Sequence, residues 1–172
     1  GGDIRIKGRR GDDSAPEVYP ERNFAEIAGY CKARNLRLSD FVAEREGAEI
    51  WDFLFEVWST MCNAIQEGLT RSGTLPGGLN VERKAQYLYN RRHIDERPET
   101  RENRIVCAYA FAISEQNADL GTVVTAPTCG ACSTLPAVLK YMQEEKHFDD
   151  RDILRALAVA GLIGNIVKSN AS

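Results

Sequence analysis

The residues of this chain best suited to chemistry lie between Thr125 and Pro136, in the stretch TAPTCGACSTLP. Cys129 and Cys132 form a C-x-x-C pair at the predicted start of a helix, where the helix dipole favours thiolate over thiol. A reversible redox pair is one chemistry that this spacing allows. Zinc binding by the pair lacks partners, because His93 and His147 stand singly and no second Cys or His pair completes four ligands. A thioredoxin-like βαβ pattern is also missing around it. The second chemistry is anion binding. Backbone N–H groups in a helix's first turn lack helical acceptors and sit at its positive end, so such a loop suits a carboxylate or phosphate. Thr125, Thr128 and Ser133 would add hydroxyl donors. An ordinary capped turn satisfies the same pattern.

Ser72 to Leu79, SGTLPGGL, is the other loop of interest. Pro76 with Gly77 and Gly78 allows a tight turn whose backbone comes close to a ligand. Its spacing is that of neither a Walker A loop nor a Rossmann fingerprint, so it gives no support for a nucleotide. An interhelical turn is the plain alternative. The remaining cysteines, Cys31, Cys62 and Cys107, fall within apolar helical patterns and read as small buried core residues. Five cysteines, an odd number in a chain of 172 residues, read as reduced thiols rather than a disulfide framework.

The elements that must position these loops are mostly helical. Residues 1–20 mix Gly, Asp, Arg and Pro without a period and read as a tail or interdomain linker. Asn23 is a natural N-cap for a first helix ending near Asn35, and Ser39 for a short second one. Ile50, Phe53, Leu54, Val57, Trp58, Met61 and Ile65 repeat at helical intervals, predicting a long amphipathic helix over 49–69. Residues 80–104 interleave Arg and Lys with Glu and Asp, as solvated helix faces do. An apolar period returns over 103–116. Residues 121–127, GTVVTAP, form a short β-type run. Ser133 would cap the following helix with Pro136 in its first turn. Asp149 or Asp150 would cap a last helix, to about Lys168, that is apolar on nearly every side; its Gly161 and Gly164 predict close packing by a neighbouring helix. A chain stopping at Ser172, directly after such a helix, reads as cut short. The fold class is therefore mainly α, a multi-helix domain fragment with at most a short β segment near 122–126.

Hydrophobic residues make up 43% of the chain and charged residues 27%, proportions of a folded globular protein. A net charge of -3 argues against a general nucleic-acid surface and for a small-molecule or protein partner. No apolar run reaches membrane-spanning length, and residues 1–10 lack the apolar core of a secretory leader, so the expected location is cytoplasmic.

Four blocks in order, Asn23–Cys31 (NFAEIAGYC), Ser72–Leu79 (SGTLPGGL), Ala118–Pro136 (ADLGTVVTAPTCGACSTLP) and Gly164–Ser172 (GNIVKSNAS), resemble the catalytic α-domain of iron–sulfur-dependent L-serine dehydratases. The resemblance covers nearly everything after about residue 21, giving a domain over 21–172. It implies a lyase that removes water from L-serine and yields pyruvate and ammonia, using a 4Fe-4S cluster held by three cysteines with one iron open to the substrate hydroxyl. It also implies that the cluster cysteines lie beyond Ser172, that none of the five here is a metal ligand, and that a Ser-Ser-His-Thr motif comes from a β-domain or β-chain. The complete enzyme would be a homo-oligomer, and this portion alone inactive. The catalytic base is not among the residues that the resemblance identifies here. Thr125, Thr128, Cys129 and Gly130, with Gly77 and Gly78, would line the serine site; Cys129 stands where many relatives carry Asn. A thiol redox protein built on Cys129 and Cys132, or a helical interaction module without catalysis, are the competing readings.

Overall fold

The computed structural model describes residues 18–91, 94–126 and 130–170, which form seven helices: α1 (Phe24–Arg34), α2 (Leu38–Glu46), α3 (Ile50–Thr70), α4 (Ala85–Asn90), α5 (Pro98–Ala118), α6 (Ala131–Glu145) and α7 (Asp150–Asn170). Among the described residues there is no strand, and only Thr74 and Glu82 pair in an isolated antiparallel bridge.

Local signals explain most of the boundaries. Asn23 Oδ1 accepts the Glu26 N–H at 3.0 Å, and the Glu26 carboxylate takes the Arg22 N–H at 2.9 Å, a reciprocal cap that starts α1. Asn35, at φ 52°, ends it in the left-handed region. Ser39 does not cap α2: it is already inside the helix and buried, while the Asp40 carboxylate takes the Arg37 N–H at 3.2 Å. Pro98 opens α5 at the position where its missing N–H is harmless, so this helix begins five residues before the apolar period that predicts it. Ser133 is likewise the third residue of α6, not its cap; Gly130 precedes the helix, and Pro136 falls in the second turn rather than the first. Asp149 Oδ1 does cap α7, accepting the Asp152 N–H at 2.9 Å.

Two cores share α3 and α6. One gathers Ile27, Phe41, Leu54, Trp58, Leu139, Ile153 and Leu157 between α1, α2, α7 and the first half of α3. The other gathers Ile65, Ala85, Ile105, Tyr109, Ile113 and Tyr141 between α4, α5, α6 and the second half of α3. Tyr19 packs on the Phe41 ring at 6.1 Å, so the chain entering α1 lies on the first core.

Several side chains depart from the sequence expectation. Cys31 is buried and Cys62 half-buried, but Cys107 is exposed on the outer face of α5. Phe53 and Phe55 of α3 face outward at 59% and 52% exposure, because the core stripe narrows to Leu54, Trp58, Ala64 and Ile65. The C-terminal half of α7 keeps Leu162 and Ile166 on the first core but exposes Ile163 and Val167 on its other face; a Cβ added at Gly161 would meet no neighbouring element within 4 Å, so close packing does not explain that glycine. The charged run at 80–104 is not wholly solvated: Arg104 bonds both Glu96 oxygens at 2.7 Å with both side chains nearly buried, and donates to the Leu88 carbonyl at 2.6 Å.

Candidate functional site

The last turn of α5 and its cap, Glu115 to Asp119, are where the two loops singled out above are fixed. Glu115 is buried, and its Oε1 accepts the backbone N–H groups of Lys84 at 2.6 Å and Ala85 at 3.2 Å. A carboxylate at those unpaired donors caps α4 from outside. Asp119 Oδ2 receives Arg71 at 3.0 Å and also Arg83, whose side chain is almost completely buried. Arg71 and Arg83 flank the SGTLPGGL segment. Across its base Arg83 N–H reaches the Gly73 carbonyl and Leu75 N–H reaches the Val81 carbonyl, each at 2.8 Å, closing a hairpin-like loop.

Gly77 and Gly78 occupy the tip of that loop and are exposed. Gly77 has φ +119°, a conformation that a side chain would strain. Asn80, at φ 50°, turns the chain back.

The same turn of α5 holds the other loop. Fully buried Gln116 donates from Nε2 to Glu67 Oε2 at 2.9 Å, and its carbonyl accepts the Gly121 N–H at 3.0 Å. Asn117 then binds Val124 twice, accepting its N–H and donating to its carbonyl, both at 2.9 Å. The β-type run over 121–127 therefore gains its pairing from a helix side chain rather than from a strand, and its described part, up to 126, is irregular. Val124 is buried; Thr125 and, across the loop, Gly130 are exposed. Thr128 and Cys129 lie outside the described residues, and with them the C-x-x-C pair.

The end of α5 thus anchors the bases of both loops, through Asp119 to Arg71 and Arg83 and through Asn117 to Val124, while Gly77, Gly78, Thr125 and Gly130 are themselves exposed. The sequence reading missed Glu115, Gln116, Asn117, Asp119 and Arg83. Four polar residues closing an apolar helix look like a solvated last turn, and no periodicity marks them as inward-facing.

The fourth block borders a separate cleft. Asn165, Lys168, Ser169 and Asn170 of α7 face Tyr19 and Arg22 across a cavity of about 640 Å³. A smaller cleft of about 430 Å³ runs between Tyr89, Arg101, Arg104 and Tyr109. Burial and a hydrogen bond to Glu144 push the Tyr109 hydroxyl well above the usual phenol range, so that it stays protonated. Among the described residues no three His, Cys, Asp or Glu side chains are grouped as a metal site. Cys31, Cys62, Cys107 and Cys132 sit on four different helices. No helix among them is long and apolar enough to cross a membrane.

Comparison with known proteins converges on one family. The family described as "Serine dehydratase alpha chain" matches residues 22–172. The chain is 38% identical to "L-serine dehydratase" of Streptomyces coelicolor over 160 residues, 90% of this chain and 35% of that protein. It is 37% identical to "L-serine dehydratase 2" of Escherichia coli over 173 residues, 93% and 38% of the two chains. "L-serine dehydratase" of Haemophilus influenzae is 36% identical over 174 residues, again 38% of its length. The chain therefore spans well under half of the relatives that it matches. The matched region contains both loops and the turn of α5 that holds them, and on this evidence the chain belongs to the serine dehydratase alpha chain family.

Proposed function

We propose that this chain supplies loops of the substrate pocket of an iron–sulfur L-serine dehydratase, which eliminates water from L-serine and releases pyruvate and ammonia. The observation that carries the reading is the joint anchoring of the SGTLPGGL and GTVVTAP loops on one turn of α5, in a chain whose relatives are named for this activity. The exposed tip at Gly77 and Gly78 offers backbone that a small substrate approaches without side-chain obstruction. Thr125 and Thr128 precede α6 in the sequence, and their hydroxyls, with the unpaired N–H groups of a helix start, suit the serine carboxylate. The chain's own work is then to bind and orient serine. Holding the carboxylate fixes where the α-proton and the β-hydroxyl point, a contribution of geometry rather than of proton transfer.

The 4Fe-4S cluster belongs to this proposal as a component carried by other parts of the enzyme. The β-domain or β-chain and a homo-oligomeric cytoplasmic enzyme complete the reading. Its test is anaerobic expression of the complete reading frame that encodes this sequence, with pyruvate formation from L-serine followed in the wild type and in Thr125→Val. Pyruvate production with a raised serine KM in the variant is expected. A cluster-reconstituted protein that yields no pyruvate would overturn the reading.

A further inference from the structure

We propose that Asn117 is the positioning residue of the 121–126 segment, its carboxamide setting the direction in which Thr125 meets substrate; the substrate part rests on the dehydratase reading. Three contacts converge on this one side chain. Val124 N–H donates to Oδ1, and Nδ2 donates to the Val124 carbonyl, both at 2.9 Å; Nδ2 also lies 3.5 Å from Cys132 Sγ. Binding both polar groups of one residue is what a neighbouring β-strand does. It fixes the peptide planes on either side of Val124 and therefore the direction in which Thr125 leaves. The contact to Cys132 lies in the first turn of α6, so a single amide touches both the 121–126 segment and that helix.

The burial pattern shows where the loop is held. Val124 is 6% exposed, whereas Val123 before it is 53% exposed and Thr125 after it is also exposed. Val124 is thus held between two exposed neighbours. Its entry is fixed independently, by Gly121 N–H on the Gln116 carbonyl and by the close approach of Gly121 to the Gln116 side chain, where an added Cβ would come within 3.1 Å of Nε2. Asn is chemically specific at this place. The site needs one acceptor and one donor on adjacent atoms; Asp keeps the acceptor and loses the donor, and Ala loses both.

The test uses the complete enzyme with Asn117→Ala and Asn117→Asp. Amide exchange over 121–126, serine KM and kcat, and Tm are read together. For Asn117→Ala the expectation is roughly tenfold faster exchange at Val124 and a serine KM raised by a similar factor, the effect of losing one or two neutral hydrogen bonds. kcat and Tm should move little. Asn117→Asp should keep Val124 N–H protected yet still raise KM, because the carbonyl and Cys132 lose their donor. Unchanged Val124 exchange in Asn117→Ala overturns the proposal, and so does faster exchange with unaltered serine kinetics. A fall in Tm and kcat that leaves KM untouched assigns Asn117 a purely structural role and overturns it too. Should the wild type not consume serine, the dehydratase reading falls, and exchange at Val124 alone decides whether Asn117 poses the loop.

Discussion

A β-carbon placed on Gly68 would stand 2.4 Å from the carbonyl oxygen of Ala112. α3 and α5 meet backbone to backbone at this point, and only a hydrogen fits between them. Gly68→Ala should therefore destabilise the protein by about 1–3 kcal/mol through overpacking, against the roughly 1 kcal/mol that alanine's helix propensity would return. Gly161 is the internal control, since nothing lies within 4 Å of the same added atom. Gly161→Ala should stabilise by up to ~1 kcal/mol. Denaturant titration of the two variants checks the pair, and shifts of the same sign would refute the tight crossing.

Asp119 is the shared partner of Arg71, which is 42% exposed in its side chain, and Arg83, which is 4% exposed. Removing the acid leaves a guanidinium inside the protein without its counter-charge. Asp119→Ala is expected to cost about 2–3 kcal/mol, toward the lower end for a broken buried pair because Asp119 is itself partly solvated. Arg71→Ala should cost less than about 1 kcal/mol. Equal losses in thermal unfolding would show that Arg83 draws nothing from Asp119.

Arg101 makes two hydrogen bonds to Glu145, at 3.0 and 2.8 Å, and holds that carboxyl below the usual glutamate range. A folded-state pKa lowered in this way stabilises fully above the unfolded value, about 4.3, and the gain is lost as pH falls through the lowered folded value. Both side chains are partly exposed, which keeps the neutral-pH contribution near ~0.5 kcal/mol. Glu145→Gln should thus be less stable than wild type at neutral pH and indistinguishable in strong acid. A stability gap that persists undiminished in acid contradicts the linkage.

Cys107 is exposed, whereas Cys31 is buried. Burial also pushes the thiols of Cys31 and Cys62 above their ordinary range, lowering their thiolate fraction. Under native conditions a small alkylating reagent should reach Cys107 well before Cys31 or Cys62. Mass spectrometry of timed digests reads the order, and early labelling of Cys31 would mean that the α1–α2 layer opens readily.

The helices were legible wherever a cap or a strong period marked them. Asn23, Asn35 and Asp149 stand at ends that the residue types announce, and α3 follows its apolar repeat from Ile50 to Thr70. The caps of α2 and α6 were misread for one physical reason. Ser39 and Ser133 are good capping residues, but each sits within a first turn that already has a start, at Arg37 and Gly130. The loops of the candidate site were legible as glycine- and threonine-bearing segments between helices. What holds them was not. Val123, Val124 and Thr125 look like a strand because their residue types suit one, and only the fold reveals that the partner is the side chain of Asn117. Glu115 and Arg83 were hidden similarly, since a buried charge is recognised by its partner and not by its neighbours in sequence.

The division into two cores also implies an order of assembly. The second core draws on α3 to α6, elements consecutive in the chain, whereas the first must wait for α7 to return to α1 and α2; Asn170 reaches the Arg22 carbonyl across 148 residues. Closing short loops costs less entropy than closing long ones, and nearby contacts form sooner. Pulse-labelled exchange during refolding should therefore protect Ile105 to Ile113 before Ile153 to Leu162. During synthesis, α1 and α2 would leave the ribosome first yet bury Ile27 and Phe41 last, after the loops on α5 have already been set.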